Sequence, residues 1–183
     1  MKKLFILSTA AFLIAGIANA QAPTALARND IKTEKRNERK ELRKLNGNTV
    51  SQNAKDQFAV DFGNTPGDKW ERTANFDEVT FRKNGKEMTA YYDDESKLVG
   101  TTNTVTFNSI PLKAQNLIKK QYKGYRPGEV LFFDDNEANE TDMLLYGLQF
   151  DDVDSYYVSL KKGSKTTVVQ VSMDGGVSYF TQL

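Results

Sequence analysis

The second half of this chain repeats a pattern of its first half at a constant spacing of 79 residues. In the first copy, the strand-like residues 79–83 lead into the turn Asn84-Gly85-Lys86. In the second copy, residues 158–162 lead into Gly163-Ser164-Lys165. A further strand-like segment follows each turn. Because a tandem repeat builds a domain from two similar units, it limits the architecture before any single strand is assigned.

Each copy begins with a segment of helical periodicity, and the two segments match at an offset of 60 residues. Apolar side chains four positions apart lie on one face of a helix, so both segments predict amphipathic helices packed against a sheet. The first helix is predicted near 51–62, and the second begins at Ile110-Pro111. The apolar stripes are Ala54, Phe58 and Phe62 in the first helix, and Ala114, Leu117, Ile118 and Tyr122 in the second.

Strand-like segments bounded by turn residues follow each helix. They lie near 69–73, 78–83, 87–93 and 97–102 in the first copy, and near 129–133, 143–150, 155–162, 166–173 and 177–181 in the second. The predicted fold class is therefore α+β. Two tandem repeats, each a helix followed by antiparallel strands, are expected to form one continuous antiparallel sheet with helices on one face.

The second copy contains an addition, because the helices match at an offset of 60 and the hairpins at 79. About 19 residues are added around 133–148, including the acidic stretch Asp134–Asp142. This stretch does not fit an EF-hand loop, since Ala138, Asn139 and Leu145 stand where an oxygen ligand, a glycine and a glutamate are needed. We expect an elongated hairpin or an added loop and assign no metal ligand, with a loose surface calcium site as the alternative.

Strand alternation assigns one face of the sheet to the helices and leaves the other face to solvent. The side chains of Met173 and Tyr179 are expected on the helix-facing, apolar side. Trp70 either anchors the first strand in that core, which its large apolar area favours, or lies at the rim of the opposite face. The opposite face is polar but carries aromatic residues, a combination typical of a protein-binding patch. The competing interpretation is that tyrosine simply favours strands. The predicted binding residues are Tyr91, Tyr157, Phe180, Arg82 and Lys161.

Residues 1–20 have the pattern of a secretory signal peptide. Lys2 and Lys3 precede an apolar run that ends at Ile17, and small residues then favour cleavage near Ala20. The run is shorter than the roughly 20 residues that cross a membrane, which argues against a permanent anchor. We therefore expect an exported protein, periplasmic or secreted, with no transmembrane segment in the processed chain.

Residues 21–48 form a leader with eight basic and four acidic residues and almost no large apolar side chains. We expect it to be flexible or partly helical, because it has no apolar face that could anchor it. An alternative function follows from its charge: a structural or stress-related envelope protein held by the leader on an anionic lipid or polymer. Residues 49–183 are predicted to be one domain, with repeat one at 49–108 and repeat two at 109–183.

The chain contains neither histidine nor cysteine. This excludes histidine-based catalytic triads, thiol nucleophiles and the usual zinc sites. A carboxylate-based hydrolase is the remaining enzymatic alternative, but the acidic segments 93–95 and 151–154 are expected to be solvated turns. Basic and acidic residues number 25 and 24, so net charge gives no reason to expect nucleic-acid binding. We expect no cofactor and no enzymatic activity.

Several short segments carry a resemblance to a known family: Trp70, 81–86 (Phe-Arg-Lys-Asn-Gly-Lys), Tyr92-Asp93, Ile110-Pro111, 120–125 (Lys-Gln-Tyr-Lys-Gly-Tyr) and Met173-Asp174-Gly175-Gly176. Together they resemble the PepSY-like proteins of Bacteroidota, whose fold is similar to that of the secreted β-lactamase inhibitor protein. The resemblance covers about Ser51–Phe180. It implies an exported, non-catalytic protein, and the family's name suggests inhibition of a peptidase or another enzyme. The inhibitor protein is disulfide-bonded whereas this chain has no cysteine, so no inhibitory residue is transferred.

Overall fold

The computed structural model describes residues 33–34, 37–38, 41 and 47–183. The chain divides into two compact units, residues 1–35 and 36–183. In the first unit only Thr33 and Glu34 are described, and they are helical and exposed. The predicted signal peptide and most of the predicted leader therefore lie outside the described residues. The helices, strands and contacts of residues 47–183 all belong to the second unit.

The two repeats have the same order of elements, a helix followed by antiparallel strands. Repeat one contains α1 (Gln52–Phe62), β1 (Gly67–Arg72), β2 (Asp77–Lys83), β3 (Lys86–Tyr92) and β4 (Leu98–Val105). A 3-10 turn (Phe107–Ser109) connects the repeats. Repeat two then contains α2 (Leu112–Gln121), β5 (Arg126–Asp135), β6 (Leu144–Leu145), β7 (Leu148–Gln149), β8 (Ser155–Lys162), β9 (Lys165–Ser172) and β10 (Val177–Gln182). Within the described residues, no helix is long and apolar enough to cross a membrane.

Eight of these strands form one antiparallel sheet in the order β1-β2-β3-β4-β5-β8-β9-β10. The two repeats meet at β4 and β5, which pair in continuous register from Gly100 opposite Asp135 to Val105 opposite Val130. The predicted α+β fold with one continuous sheet is confirmed. The expected strand near 143–150 is wrong, because these residues form the separate two-stranded hairpin β6–β7 instead.

The β2–β3 hairpin shows how local chemistry sets the register. Asn84 and Gly85 both have positive φ angles, 53° and 77°. This backbone suits asparagine and glycine and matches the twist of the flanking strands. The turn therefore pairs Lys83 with Lys86 and places Phe81 opposite Met88 on the helix side of the sheet.

Each helix buries its apolar stripe against the strands of its own repeat. Ala54 and Phe58 of α1 pack in one core, and Ala114 and Ile118 of α2 pack in another. Trp70 packs at the edge of the first core, with its ring centroid 5.5 Å from that of Phe58, as expected. The strand partners are Val79, Phe81, Ala90 and Tyr92 in the first core, and Val130, Val158, Leu160, Val169 and Val171 in the second.

Two residues expected in the helix-side core are exposed. Met173 is 50% and Tyr179 is 64% exposed. Met173 lies in the turn after β9, and Tyr179 lies on β10, the last strand of the sheet. Alternation along a strand predicts which face a side chain takes, but it does not reveal where the covering helix ends.

The added segment of repeat two is fastened to repeat one by buried hydrogen bonds. Asn136 and Asn139 each donate a side-chain N–H to the carbonyl oxygen of Leu98, at 2.7 and 3.0 Å. Asn139 also donates to Asp93 Oδ2 at 3.0 Å, and Thr141 donates its hydroxyl to the same oxygen at 3.3 Å. Asp93 is 5% exposed, so the expectation of a solvated turn is wrong at this position.

We predict that Asn139→Ala destabilises the domain. The substitution removes two donors from a buried site and leaves Asp93 and the Leu98 carbonyl underbonded, which should lower the free energy of unfolding by about 1–3 kcal/mol. Urea denaturation measures this loss. Glu140→Ala, at the exposed neighbouring position, is the control and should change stability little. Equal stabilities of the two variants would contradict this function of Asn139.

Candidate functional site

The sheet face opposite α1 and α2, the back face, is covered in repeat two by the added segment, which in the structure runs from the end of β5 to the start of β8 (residues 136–154). Met143 and Phe150 of that segment are buried against the sheet, together with half-buried Leu144 and Leu145. A third core therefore exists on the side that was expected to face solvent. Its buried members are Phe76, Val99, Phe133, Met143, Phe150, Tyr157 and Val168.

Tyr157 belongs to this back-face core and is not an exposed binding anchor. It is 1% exposed, and its ring centroid lies 4.9 Å from those of both Phe150 and Phe180. Gln170 donates to its hydroxyl at 3.2 Å. Burial raises the pKa of Tyr157 above the ordinary tyrosine value. The expectation that this residue contacts a partner directly is therefore corrected, because Phe150 of the added segment covers it.

Tyr91 lies on the back face of repeat one and is half-buried. Its hydroxyl is 3.0 Å from Thr102 Oγ1, and its ring packs edge-on against Phe76 with centroids 5.9 Å apart. Burial raises the pKa of Tyr91 to about 12. The ring is thus held in a defined position and keeps part of its surface accessible.

The tip of the β6–β7 hairpin adds an aromatic residue that the sequence did not assign to any face. Tyr146 and Leu148 are each 41% exposed, and the Tyr146 ring lies 6.5 Å from that of half-buried Phe180. Tyr146 has a φ of 53° and is followed by Gly147 with a φ of 77°. The Tyr-Gly pair between apolar residues was the available sequence signal for this turn.

Arg82 and Lys161 are both exposed, as predicted, but the fold does not bring them together. Arg82 lies on β2, and its guanidinium is 3.4 Å from the Glu87 carboxylate. Lys161 lies on β8, four strands away in the sheet order. Strand spacing separates them by about 19 Å. The predicted residues therefore form a dispersed surface and not one compact site.

A concave surface lies on the helix side of the sheet, between the two helices. This inter-helix groove has a volume of about 690 Å³. Phe62 at the end of α1 and Ser109 before α2 form its walls. Its floor contains Met88, Thr101, Asn103, Phe132 and Tyr156, and its ends contain Lys83 and Lys86 on one side and Asp134 and Asp135 on the other.

The acidic end of the groove lies where the added segment begins and ends. Asp154 accepts a hydrogen bond from the backbone N–H of Asp135 at 2.9 Å. Burial, and then the nearby charge of Asp154, raise the pKa values of Asp134 and Asp135. Within the described residues, no cluster of three or more acidic side chains has a geometry that could hold a metal ion.

The chain matches no protein-family model and none of the curated proteins. Solved structures, however, share its fold. A BLIP-like protein from Bacteroides fragilis is 17% identical with a TM-score of 0.57, over 74% of this chain and 87% of the other. A DUF2874 family protein from Bacteroides uniformis is 11% identical with a TM-score of 0.58, over 74% and 89%.

A third structure, from Bacteroides eggerthii, is of a protein assigned provisionally to the periplasm. It is 10% identical, with a TM-score of 0.57 over 74% of this chain and 88% of the other. Identities this low establish the fold alone. The predicted similarity to a β-lactamase-inhibitor-like fold is confirmed, whereas membership of the PepSY-like family stays a prediction.

We predict that ionisation of Tyr91 lowers the free energy of unfolding at alkaline pH. Its pKa is about 12 in the folded protein against 10.0 for the free side chain. Below the lower value both states keep the proton. Above it only the unfolded chain releases the proton, so stability falls as pH rises from about 10 to about 12. Tyr91→Phe should reduce this decline by up to about 1.4 kcal/mol per pH unit.

Urea denaturation of both proteins between about pH 8 and about pH 11 tests this pH dependence of stability. The comparison uses the change in unfolding free energy with pH, so a constant offset between the two proteins does not matter. Identical slopes for the original chain and Tyr91→Phe would show that Tyr91 does not resist ionisation.

Proposed function

We propose that this chain is an exported, non-catalytic module that binds another envelope or secreted protein through the back face of its sheet. Export is supported by the signal-peptide pattern of residues 1–20 and by the provisional periplasmic assignment of a structural neighbour. A non-catalytic role is supported by the lack of histidine and cysteine. The fold shared with a BLIP-like protein supports protein binding, and inhibition is one form that such binding takes.

The observation that carries the proposal is the exposed tip of the β6–β7 hairpin. Exposed apolar side chains on an ordered support are favourable protein contacts, because little conformational entropy is lost when they are covered. Tyr146 and Leu148 are each 41% exposed. Phe180 lies beside Tyr146 and is itself held by Phe150 and Tyr157.

The proposed contact surface differs from the one that the sequence predicted. Tyr146, Leu148 and Phe180 are its centre, and Tyr91 lies on the same face in repeat one. Tyr157 supports the surface from below through its contact with Phe180. Arg82 and Lys161 are outlying charges, which affect the rate of association more than the strength of the complex.

The test begins with capture of the partner from an envelope extract of the source organism, followed by binding measurements with the purified partner. The double substitution Tyr146→Ala and Leu148→Ala should weaken binding by about 30-fold or more, since removing central interface anchors costs about 2 kcal/mol or more. Circular dichroism and thermal melting check that the fold is retained.

The matched control removes two exposed apolar side chains from the helix side. Val60 on α1 is 76% exposed and Leu112 on α2 is 69% exposed. Val60→Ala with Leu112→Ala should leave the affinity unchanged. An unchanged affinity of the hairpin-tip variant, or equal losses in the two variants, would overturn the proposed surface.

A further inference from the structure

The inter-helix groove has opposite charges at its two ends. Lys83 and Lys86 face each other across the β2–β3 turn on the helix side. The acidic end lies further along the strands, because Asp134 pairs with Thr101 and Thr101 pairs with Ala90. Ala90 is four residues beyond Lys86 on β3, so the two ends are about 13 Å apart along the strand direction.

The charges at both ends lack ion-pair partners within the described part of the chain. The ion pairs between described residues involve other side chains, such as Lys97 with Glu95 and Lys113 with Asp174. The Lys83 ammonium lies over the Phe62 ring, 5.0 Å from its centroid. At the opposite end, the side chain of Asp134 is exposed and lies on the same face of β5 as Phe132 of the groove floor.

The floor between the charged ends combines an apolar surface with unsatisfied polar groups. The half-buried rings of Phe132 and Tyr156 lie with centroids 4.8 Å apart, beside half-buried Met88. Thr101 is 5% exposed, and its hydroxyl has no hydrogen-bond partner among the residues that the structure describes. The side-chain amide of Asn103 makes a 3.4 Å contact with the Thr104 carbonyl. Pockets that bind organic ligands have this composition of apolar lining and a few convergent polar groups.

We propose that the inter-helix groove binds a short peptide with free termini, about four residues long and extended diagonally across the strands. Its α-carboxylate would lie at Lys83 and Lys86, and its α-ammonium at Asp134. An apolar inner side chain would rest on the floor. Lys86 and Asp134 are also two strands apart across the sheet, about 10 Å, so their Cα atoms are about 16 Å apart. Four extended residues span at most about 14 Å, and the long lysine side chains reach across the remaining distance. A simple anion or cation would satisfy only one end.

This site is separate from the proposed protein contact, since the groove and the β6–β7 tip lie on opposite faces of the sheet. The groove needs no contribution from Tyr146, Leu148 or Phe180. Failure of either proposal therefore leaves the other intact, and substitutions in the groove should not change binding of the captured protein partner.

The probe is the tetrapeptide Ala-Leu-Phe-Ala, compared with its N-acetylated and C-amidated forms. Binding to the purified protein is followed by calorimetry and by amide chemical shifts in NMR spectra. The unblocked peptide should shift the amides of Asn103 and Phe132 on the groove floor and leave Ser178 on β10 unchanged. Blocking either terminus should weaken binding about tenfold, as expected for loss of one charge-assisted contact.

Matched substitutions assign each terminus to its end of the groove. Asp134→Asn should weaken binding of the unblocked peptide and have little effect on binding of the acetylated peptide. Lys83→Gln with Lys86→Gln should weaken binding of the unblocked peptide and have little effect on binding of the amidated peptide. All three side chains are exposed, so folding should be retained. The controls are Asp68→Asn on β1 and Lys119→Gln with Lys120→Gln on α2, which should not change binding.

Three results would overturn the proposal. The first is the absence of calorimetric binding and of shifts on the groove floor at millimolar peptide. The second is equal affinity for the unblocked and acetylated peptides, which would indicate that the groove recognises only a carboxylate terminus such as a protein tail. The third is an equal loss of peptide affinity in the groove variants and in their controls, which would indicate general electrostatic attraction.

Discussion

The backbone hydrogen bonds between β4 and β5 join the two repeats into one fold. Each repeat has one helix and too few strands to bury both of its sheet faces alone. Pairing from Gly100–Asp135 to Val105–Val130 joins the repeats into one eight-stranded sheet. It also brings the end of β5 beside the β3–β4 connection. The added segment that follows β5 can therefore reach Asp93 and Leu98 of repeat one.

That proximity explains why the added segment is packed and not a free loop. Asp93 and the Leu98 carbonyl hold its first part through Asn136, Asn139 and Thr141. Its second part covers aromatic side chains of the back face. The segment thus bonds the two repeats together and also forms a third layer over the back face of the sheet. Part of the back face is therefore a buried core. The exposed apolar side chains on this side of the sheet lie at the hairpin tip, on Tyr146 and Leu148.

The same joining of repeats creates the inter-helix groove. Each helix packs on strands of its own repeat, so the strands at the junction are left between the helices. The groove receives lysines from the β2–β3 turn of repeat one and aspartates from the end of β5 in repeat two. Neither repeat alone could form both ends. Its dipolar character is therefore a property of the junction, and it arises without any residue that is unusual in its own strand.

Local periodicity and turn chemistry were enough to predict both helices, the Asn84-Gly85 hairpin, the core positions of Phe58 and Ile118, and a single α+β sheet, because these follow from spacing along the chain. The burial of Tyr157 and Asp93, the exposure of Tyr146 and Tyr179, and the charge pattern of the groove could be read only from the folded protein. Those properties depend on which distant segment covers a residue, and the added segment contains no periodic signal that shows where it folds.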